Sequence, residues 1–512
     1  MASPLPHLSR SVRASVLNAH ATTSLASSSL VRSFASTPSA AAKAPAKPLQ
    51  KKRTALKKNS SSGPRSTGSK RRSGGDAASS SNVALTTPFY RPPADMRSLP
   101  TLTPEDANKK SLNQIMAFSR RDLDAFEKFG VEKKVKNALG SHVRPSSLVR
   151  AATLDLYSQL ASSASASSSK KLALTGPLSG GKSHLMLQAV SYALASDWLV
   201  LYIPQLVTFI NSTSAFEYSA EEQAYLQPEA VQKFFSSVLS VNQEVLKKMK
   251  VDAGKESSQV TFDRDISVSS TATLEQLLKL ATSQKVTPLA SQRIFDLFLT
   301  SISRQKAVPT LLAMDHLQSL YLPSRYRTAD YATVQSYELA PVRSLIQFIA
   351  GEGLQSGAIL SAVSHSNPSF AVPNEVKAVF NHQQQKQLAK GSSSGSVRSQ
   401  LDETALHAYT DIHPLHVEHV RACNWSLVDV PDAWTEPELR ALYELRRQEG
   451  RNWNGGNSIA EQAMSSSPFG AVAGKGTTAA TATEDELFLL RLLDSGRNPE
   501  KFEKSVWGSS VL

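Results

Sequence analysis

The chain has 512 residues, a single cysteine and a formal net charge of +14 at pH 7. This length corresponds to about two to four domains, one cysteine excludes a disulfide framework within the chain, and no apolar run approaches the roughly 20 residues that a bilayer-spanning helix needs. Residues 1–75 contain fourteen basic residues and no acidic one, so the remaining sequence has 43 residues of each sign and the whole excess charge belongs to the N-terminal part.

The first 34 residues are rich in Ser, Ala and Arg, a composition typical of a mitochondrial presequence. Arg-Ser-Phe at 32–34 resembles a matrix-protease site, so we expect a transit peptide over 1–34. Residues 35–84 have almost no large apolar groups, which predicts a disordered basic tail. A generic basic tail over the whole segment is the alternative. Such a tail attracts polyanions with an affinity that falls as salt rises.

An N-terminal extension is predicted over 85–150, with a helical pattern of phenylalanines near 118–129, and an α/β domain over 151–380. Four apolar segments of this domain read as buried strands: LALT at 172–175, WLVLYI at 198–203, VPTLLAMD at 308–315 and GAILSAV at 357–363. Helical patterns between them are expected at 184–194, 229–250, 274–282, 290–303 and 336–350, with a loop at 162–170. Alternation of strand and helix predicts a parallel sheet that binds ligands at the carboxyl ends of its strands.

The last quarter of the sequence is expected to be mainly helical. Residues 381–404 are predicted to form a flexible loop, and 405–512 a helical C-terminal domain with a low-complexity insertion at 463–483. Helices are expected at 435–450 and 484–494, and a last short one after Asn498-Pro499, which has N-cap and first-turn chemistry. The lone Cys423 is interpreted as a small residue near a core.

The strongest motif is GPLSGGKS at 176–183, which matches GxxxxGK[ST] in full. Glycines let the loop direct its backbone N–H groups at phosphate oxygens, and the following helix adds its positive dipole end. Lys182 is expected to reach the β- and γ-phosphates, and Ser183 to ligate Mg²⁺. The alternative is a glycine turn of another α/β protein. The predicted nucleotide-binding residues of this segment are Gly176, Ser179, Gly180, Gly181, Lys182, Ser183 and His184.

Asp315, at the end of an apolar strand, is the expected acidic partner that holds Mg²⁺. ATPases with a strand between the two motifs usually place a water-activating glutamate after this aspartate, and here the position is His316. Histidine can act as a base at neutral pH, but we interpret His316 as a satisfied or exposed histidine and expect slow hydrolysis at most. Candidates for sensing a γ-phosphate at the end of the next strand are Ser364, Ser366 and Asn367, with ordinary turn residues before Pro368 as the alternative. Arg325, Arg327 and Arg343 are candidates for reaching a neighbour's nucleotide, and the spacing singles out none of them.

The ordered pieces of the sequence resemble the death-associated protein 3 family, the P-loop protein of the mitochondrial small ribosomal subunit. The pieces are RPSSLVRAATLDLYSQL, LALTGPLSGGKSHLML, WLVLYIPQ, LLAMDHLQSLY, GAILSAVSHSN, VPDAWTEPELRALYELRRQEG and DSGRNPEKFEKSV. They cover residues 100–512 discontinuously. The resemblance implies a P-loop NTPase fold of the AAA+ kind.

The resemblance also implies a structural protein in the head of the small subunit, in contact with ribosomal RNA and neighbouring ribosomal proteins in the mitochondrial matrix. It implies a bound purine nucleotide, usually described as guanine (GTP or GDP), with Mg²⁺ on Ser183 and Asp315. The sequence leaves open whether the base is guanine or adenine, because no NKxD-type guanine motif is found. The segment 144–150 is expected to border the base by analogy only. No stable homo-oligomer is expected. The alternatives are an AAA-like ATPase that remodels a protein partner and a nucleotide-dependent switch in cell death.

Overall fold

The computed structural model describes residues 99–131, 135–136, 145–164, 169–252, 259–263, 266–269, 271–283, 286–351, 353–390, 412–431, 433–448 and 484–507. The predicted transit peptide, the basic tail and the insertion at 463–483 lie outside the described residues.

The described strands form one five-stranded sheet and several two-stranded pairs. In chain order they are β1 (Ile115–Ala117), β2 (Ser146–Leu148), β3 (Lys170–Thr175), β4 (Leu199–Ile203), β5 (Glu217–Ser219), β6 (Ala224–Leu226), β7 (Gln259–Asp263), β8 (Ile266–Ser269), β9 (Thr310–Asp315), β10 (Pro323–Arg327), β11 (Thr333–Gln335), β12 (Gly357–Ala362) and β13 (Ser426–Asp429).

The helices of the described residues flank the large sheet, and none of them is long and apolar enough to cross a membrane. In chain order they are α1 (Arg120–Phe129), α2 (Ala151–Ala164), α3 (Lys182–Ala195), α4 (Pro228–Lys248), α5 (Leu274–Ala281), α6 (Pro288–Arg304), α7 (Ala340–Ala350), α8 (Asn374–Lys390), α9 (Pro414–Cys423), α10 (Glu436–Gln448), α11 (Glu484–Asp494) and α12 (Pro499–Trp507).

The five-stranded sheet has the order β13-β3-β12-β9-β4, and every neighbouring pair is parallel. Successive side chains of a strand point to opposite faces, so Leu312 and Met314 enter one core while Leu311 and Ala313 enter the other. Both faces are covered, and this explains why these strands read as continuous apolar runs. The predicted α/β class with a parallel sheet flanked by helices is confirmed.

Most predicted elements are found within a few residues of their expected bounds, and two loop predictions are wrong in part. Helix α2 continues to Ala164, into the loop expected at 162–170. Helix α8 continues to Lys390, into the loop expected from 381. Residues 391–404 lie outside the described residues. The polar region 211–285 contains its two expected helices and also the pairs β5-β6 and β7-β8, which alternation in the sequence did not reveal.

The C-terminal part adds a strand that was not predicted. β13 joins the sheet beside β3, with Ser426 opposite Leu172 and Asp429 opposite Thr175. Helices α10 to α12 follow, with a small apolar cluster of their own that includes Tyr443 and Phe502. Cys423, at the end of α9, is fully buried as expected of a small core residue. The C-terminal part is therefore mainly helical but is also tied to the central sheet.

An asparagine side chain closes one edge of the sheet. Strand β4 is an edge strand, and the outward N–H and C=O groups of Val200 are bonded by Asn242, at 2.9 and 2.8 Å. Asn242 lies at a kink of α4, where its backbone leaves helical geometry at φ −106°. Buried backbone groups need partners, so the amide takes the place that another strand would occupy.

Asn242→Leu is expected to lower the free energy of unfolding by about 2–4 kcal/mol, because both Val200 groups lose their buried partner. Ser236→Ala is the matched control on the same helix, because the Ser236 hydroxyl bonds Gln232 O at an exposed position. This variant should change the free energy of unfolding by less than about 0.5 kcal/mol. Urea unfolding of both variants and the parent protein makes the comparison. Equal midpoints for the two variants would contradict the assigned role of Asn242.

Candidate functional site

The glycine-rich loop leaves the carboxyl end of β3 and enters α3. Gly176, Ser179 and Gly181 have positive φ values of 129°, 65° and 93°. Positive φ favours glycine, and two of the three residues are glycines. A Cβ on Gly176 would lie 2.4 Å from the carbonyl oxygen of Val430, just after β13. The loop is therefore pressed against the C-terminal backbone at its first residue.

Lys182, the first residue of α3, is turned back onto the loop. Its side chain is buried, at 7% exposure, and its Nζ donates to Gly176 O at 2.8 Å and also to Pro177 O. The ammonium group therefore lies beside the first half of the loop. This is the position from which a lysine can reach a phosphate chain held by the loop.

Ser183 and Asp315 meet although 132 positions separate them in the sequence. The Ser183 hydroxyl donates to Asp315 Oδ2 at 2.8 Å, and Asp315 is 3% exposed at the end of β9. Mg²⁺ prefers oxygen ligands and takes one or two from the protein when phosphates and waters supply the rest. No cluster of three or more acidic, His or Cys ligands occurs among the described residues, so this pair fits a phosphate-bound ion rather than a protein-only cage.

His316 does not point into the same space. It has a left-handed φ of 66° and is 3% exposed, and its backbone N–H donates to Asp315 Oδ1 at 2.8 Å. It is absent from the described residues that line the neighbouring cavity. The histidine is therefore not exposed, and its buried Nδ1 has no hydrogen-bond partner among the described residues, so the expectation of a satisfied or exposed histidine is wrong.

The end of β12 brings two of the three candidate sensor residues to the cavity. Ser364 and Ser366 line it, with their hydroxyl oxygens 2.9 Å apart. Asn367 instead accepts from Ser369 N at 3.0 Å and caps a short helical turn. His365 also lines the cavity, and burial, followed by the charges of Lys182 and Lys377, lowers its pKa. This imidazole is therefore neutral at pH 7.

The candidate arginine fingers lie elsewhere on the molecule. Arg325 and Arg327 belong to the exposed face of β10, and the guanidinium of Arg325 lies 4.7 Å from the centre of the Phe370 ring. Arg343 donates to Glu222 O at 2.9 Å. None of the three is among the described residues that line the cavity.

The loop, α3 and Asp315 border one cavity of about 390 Å³, a size in the usual range for small-ligand sites. The cavity wall includes the predicted residues Ser179 to His184 as well as Asp315. The cavity wall also includes apolar side chains from distant parts of the sequence: Ile115, Val135, Leu148, Trp434, Leu442 and Leu445. The lining thus combines the polar groups of the loop with apolar side chains from other parts of the chain.

Sequence reasoning missed the C-terminal wall of this cavity. Pro499, Glu500 and Glu503 line it from α12, and Glu500 accepts a hydrogen bond from the Ser179 hydroxyl in the loop. The i, i+3 spacing of Leu442 and Leu445 was the only signal available, and such spacing is equally typical of an ordinary core face.

Arg150 connects the loop to the C-terminal part. Its NH1 donates to Gly180 O at 2.9 Å, and its Nε bonds Glu438 at 3.1 Å with both side chains nearly buried. The guanidinium also lies 4.7 Å from the centre of the Trp434 ring. Arg150 lies in the segment 144–150 that was expected to border the ligand; residue 144 is outside the described residues. One side chain thus joins three separate parts of the chain.

Comparison with known proteins gives consistent matches. The family model described as mitochondrial ribosomal death-associated protein 3 matches residues 147–505. A Neurospora crassa protein, small ribosomal subunit protein mS29, is 27% identical over 294 residues, 56% of this chain and 58% of that protein. The protein of the same name from Schizosaccharomyces pombe is 23% identical over 318 residues, 61% of this chain and 62% of that protein. The chain therefore aligns with about three fifths of each relative.

Proposed function

The chain belongs to the mitochondrial ribosomal death-associated protein 3 family, and on this basis we propose that it is a structural constituent of the small subunit of the mitochondrial ribosome. The two fungal relatives are named as small ribosomal subunit proteins. The expected transit peptide and basic tail agree with import into the matrix and with binding to ribosomal RNA.

We further propose that the site holds a purine nucleotide with Mg²⁺ in a P-loop NTPase fold. The contact between Ser183 and Asp315 is the observation that supports this most directly. The sheet order supports the same class, because β12 lies between β3 and β9, the arrangement expected of a strand between the two motifs. Lys182 and the loop N–H groups would bind the phosphates, and the two side-chain oxygens would share the ion.

The apolar part of the cavity would receive the base. Two buried polar atoms on its wall, Ser146 Oγ and Trp434 Nε1, have no hydrogen-bond partner among the described residues. The indole N–H can only donate, and both purines carry ring-nitrogen acceptors. The preference for guanine over adenine therefore rests on the family resemblance, and competition between GDP and ADP for the purified protein tests it.

In this proposal the nucleotide stabilises the fold and is not turned over rapidly. A ligand that binds only the folded state adds about 2.7 kcal/mol at a hundredfold excess over its dissociation constant. The cavity lies between the sheet and the C-terminal helices, so a bound nucleotide would hold these parts together. This arrangement favours a structural role of the nucleotide over a remodelling ATPase. The histidine at the position of the water-activating glutamate favours the same role.

Sedimentation of a mitochondrial lysate through a sucrose gradient tests the ribosomal part of the proposal. We expect the chain in the small-subunit fractions, with a purine nucleotide recovered from the purified protein after denaturation. Absence from those fractions would overturn the structural role. A turnover rate well above about one per second for the purified protein would favour the remodelling ATPase instead.

A further inference from the structure

The helix α12 carries acidic side chains into the cavity that is proposed to bind phosphates. Glu500 and Glu503 lie one helical turn apart and both line the cavity. Glu500 accepts a hydrogen bond from Ser179, in the middle of the glycine-rich loop. Carboxylates repel phosphate oxygens, so these two side chains should weaken the binding of highly charged phosphate groups beside the loop.

The position of Glu500 is well determined by its surroundings. Asn498 caps α12 by accepting from the backbone N–H of Glu500 and Lys501 at 3.1 and 3.2 Å. Phe502 is fully buried in the C-terminal apolar cluster, and Trp434 N donates to Arg497 O at 3.0 Å. The helix end is therefore anchored on three sides, which keeps the carboxylate of Glu500 at the loop.

The charges on the cavity wall are unusual for a site that prefers a triphosphate. Among the described lining residues, Lys182 and Arg150 are cationic, and Arg150 is already paired with Glu438. Three lining carboxylates, Asp315, Glu500 and Glu503, oppose them. The described lining residues therefore include more carboxylates than cations, and a carboxylate next to a phosphate disfavours the ligand with the larger phosphate charge.

Glu500 contacts the loop near the residues that the Lys182 ammonium group bonds. Lys182 Nζ, the group expected to reach the β- and γ-phosphates, bonds the carbonyls of Gly176 and Pro177. The first half of the loop therefore lies beside this ammonium group, and Ser179 follows two residues later. The Ser179 hydroxyl belongs to the same residue as a loop N–H that would bind a phosphate oxygen, so the Glu500 carboxylate would lie close to that phosphate.

Resting on the proposed nucleotide site, we infer that Glu500 is a specificity-determining residue that selects a nucleoside diphosphate over a triphosphate. It acts by charge repulsion of the γ-phosphate from a carboxylate that α12 holds against the loop. A unit charge close to a phosphate in a partly buried site is sufficient for about a tenfold difference in affinity.

Glu500→Gln in the full-length protein tests the inference, because glutamine keeps an acceptor for Ser179 and removes only the charge. Dissociation constants are measured by calorimetry with Mg²⁺ for GDP, for the β,γ-imido analogue of GTP and for the two adenine counterparts. The parent protein should bind the diphosphate about tenfold more tightly, and Glu500→Gln should bring the two within about threefold by strengthening triphosphate binding. Asp494→Asn is the control, since this exposed carboxylate of α11 does not line the cavity.

The outcomes separate this inference from the proposal on which it rests. A parent protein that binds no purine nucleotide overturns both. Nucleotide binding with the same diphosphate-to-triphosphate ratio in the parent and in Glu500→Gln overturns the inference alone. A changed guanine-to-adenine ratio with an unchanged phosphate ratio also overturns it, because Glu500 would then contact the base. A circular dichroism melt of each variant shows that the fold is kept.

Discussion

Lys182→Ala is expected to weaken binding of the purine nucleotide by about tenfold to a hundredfold, because hydrogen bonds to charged groups contribute about 1.5–3 kcal/mol each. The lysine is buried beside the loop, and its ammonium group lies at the Gly176 carbonyl. Loss of the side chain removes a positive charge from a cavity whose wall already has more carboxylates than cations. Calorimetry on the purified variant measures the change in affinity.

The same variant should reduce the amount of chain that sediments with the small ribosomal subunit. If the nucleotide holds the sheet and the C-terminal helices together, a variant that retains no nucleotide docks less well. Lys279→Ala is the matched control, because this half-exposed lysine pairs with Glu275 on α5 and is remote from the cavity wall. Normal sedimentation of a Lys182→Ala protein that holds no nucleotide would show that assembly does not need the ligand.

Arg150→Met is expected to lower the free energy of unfolding by about 3–5 kcal/mol, the usual result of removing one partner of a buried ion pair. Glu438 is 5% exposed and would lose its cationic partner. The Gly180 carbonyl would lose a hydrogen bond, and the Trp434 ring would lose its stacked cation. Chemical unfolding monitored by tryptophan fluorescence gives the change.

A double-mutant cycle separates the ion pair from the other contacts of Arg150. Glu438→Gln keeps an acceptor for the Thr435 N–H, which Glu438 bonds at 2.7 Å, and removes only the charge. We expect the double variant to be more stable than the sum of the two single changes predicts, with a coupling of at least about 1 kcal/mol. Arg121→Met, at an exposed pair with Asp197, should cost less than about 1 kcal/mol. Additive single changes would mean that the buried pair is not coupled.

The described structure explains why the element predictions succeeded in the centre of the chain. Strands β9 and β12 are covered on both faces, so their burial appears in the sequence as unbroken apolar runs. The pairs β5-β6 and β7-β8 are short, with three and four paired residues, which is too few for a clear periodic pattern in the sequence. The extension of α8 to Lys390 was missed because its Gln-rich sequence is polar on every side, which amphipathic periodicity does not detect.

The sequence by itself determined the class of fold, the position of the glycine-rich loop between a strand and a helix, and the family. Each of these follows from local chemistry: strand burial from apolar runs, and the loop from glycines followed by a lysine and a serine at one required spacing. Asp315 was also identified, because an acidic residue at the end of a buried strand has a defined place at the sheet edge.

Only the tertiary structure decided what encloses the site. The meeting of Arg150 with Glu438, and of Ser179 with Glu500, joins residues 288 and 321 positions apart. The sequence does not reveal either pair, because a charged residue in a cavity wall has the same kind of neighbouring sequence as a charged residue on the surface. The placement of α12 against the loop depends on β13 entering the sheet beside β3. That pairing depends on long-range packing, which local periodicity cannot encode.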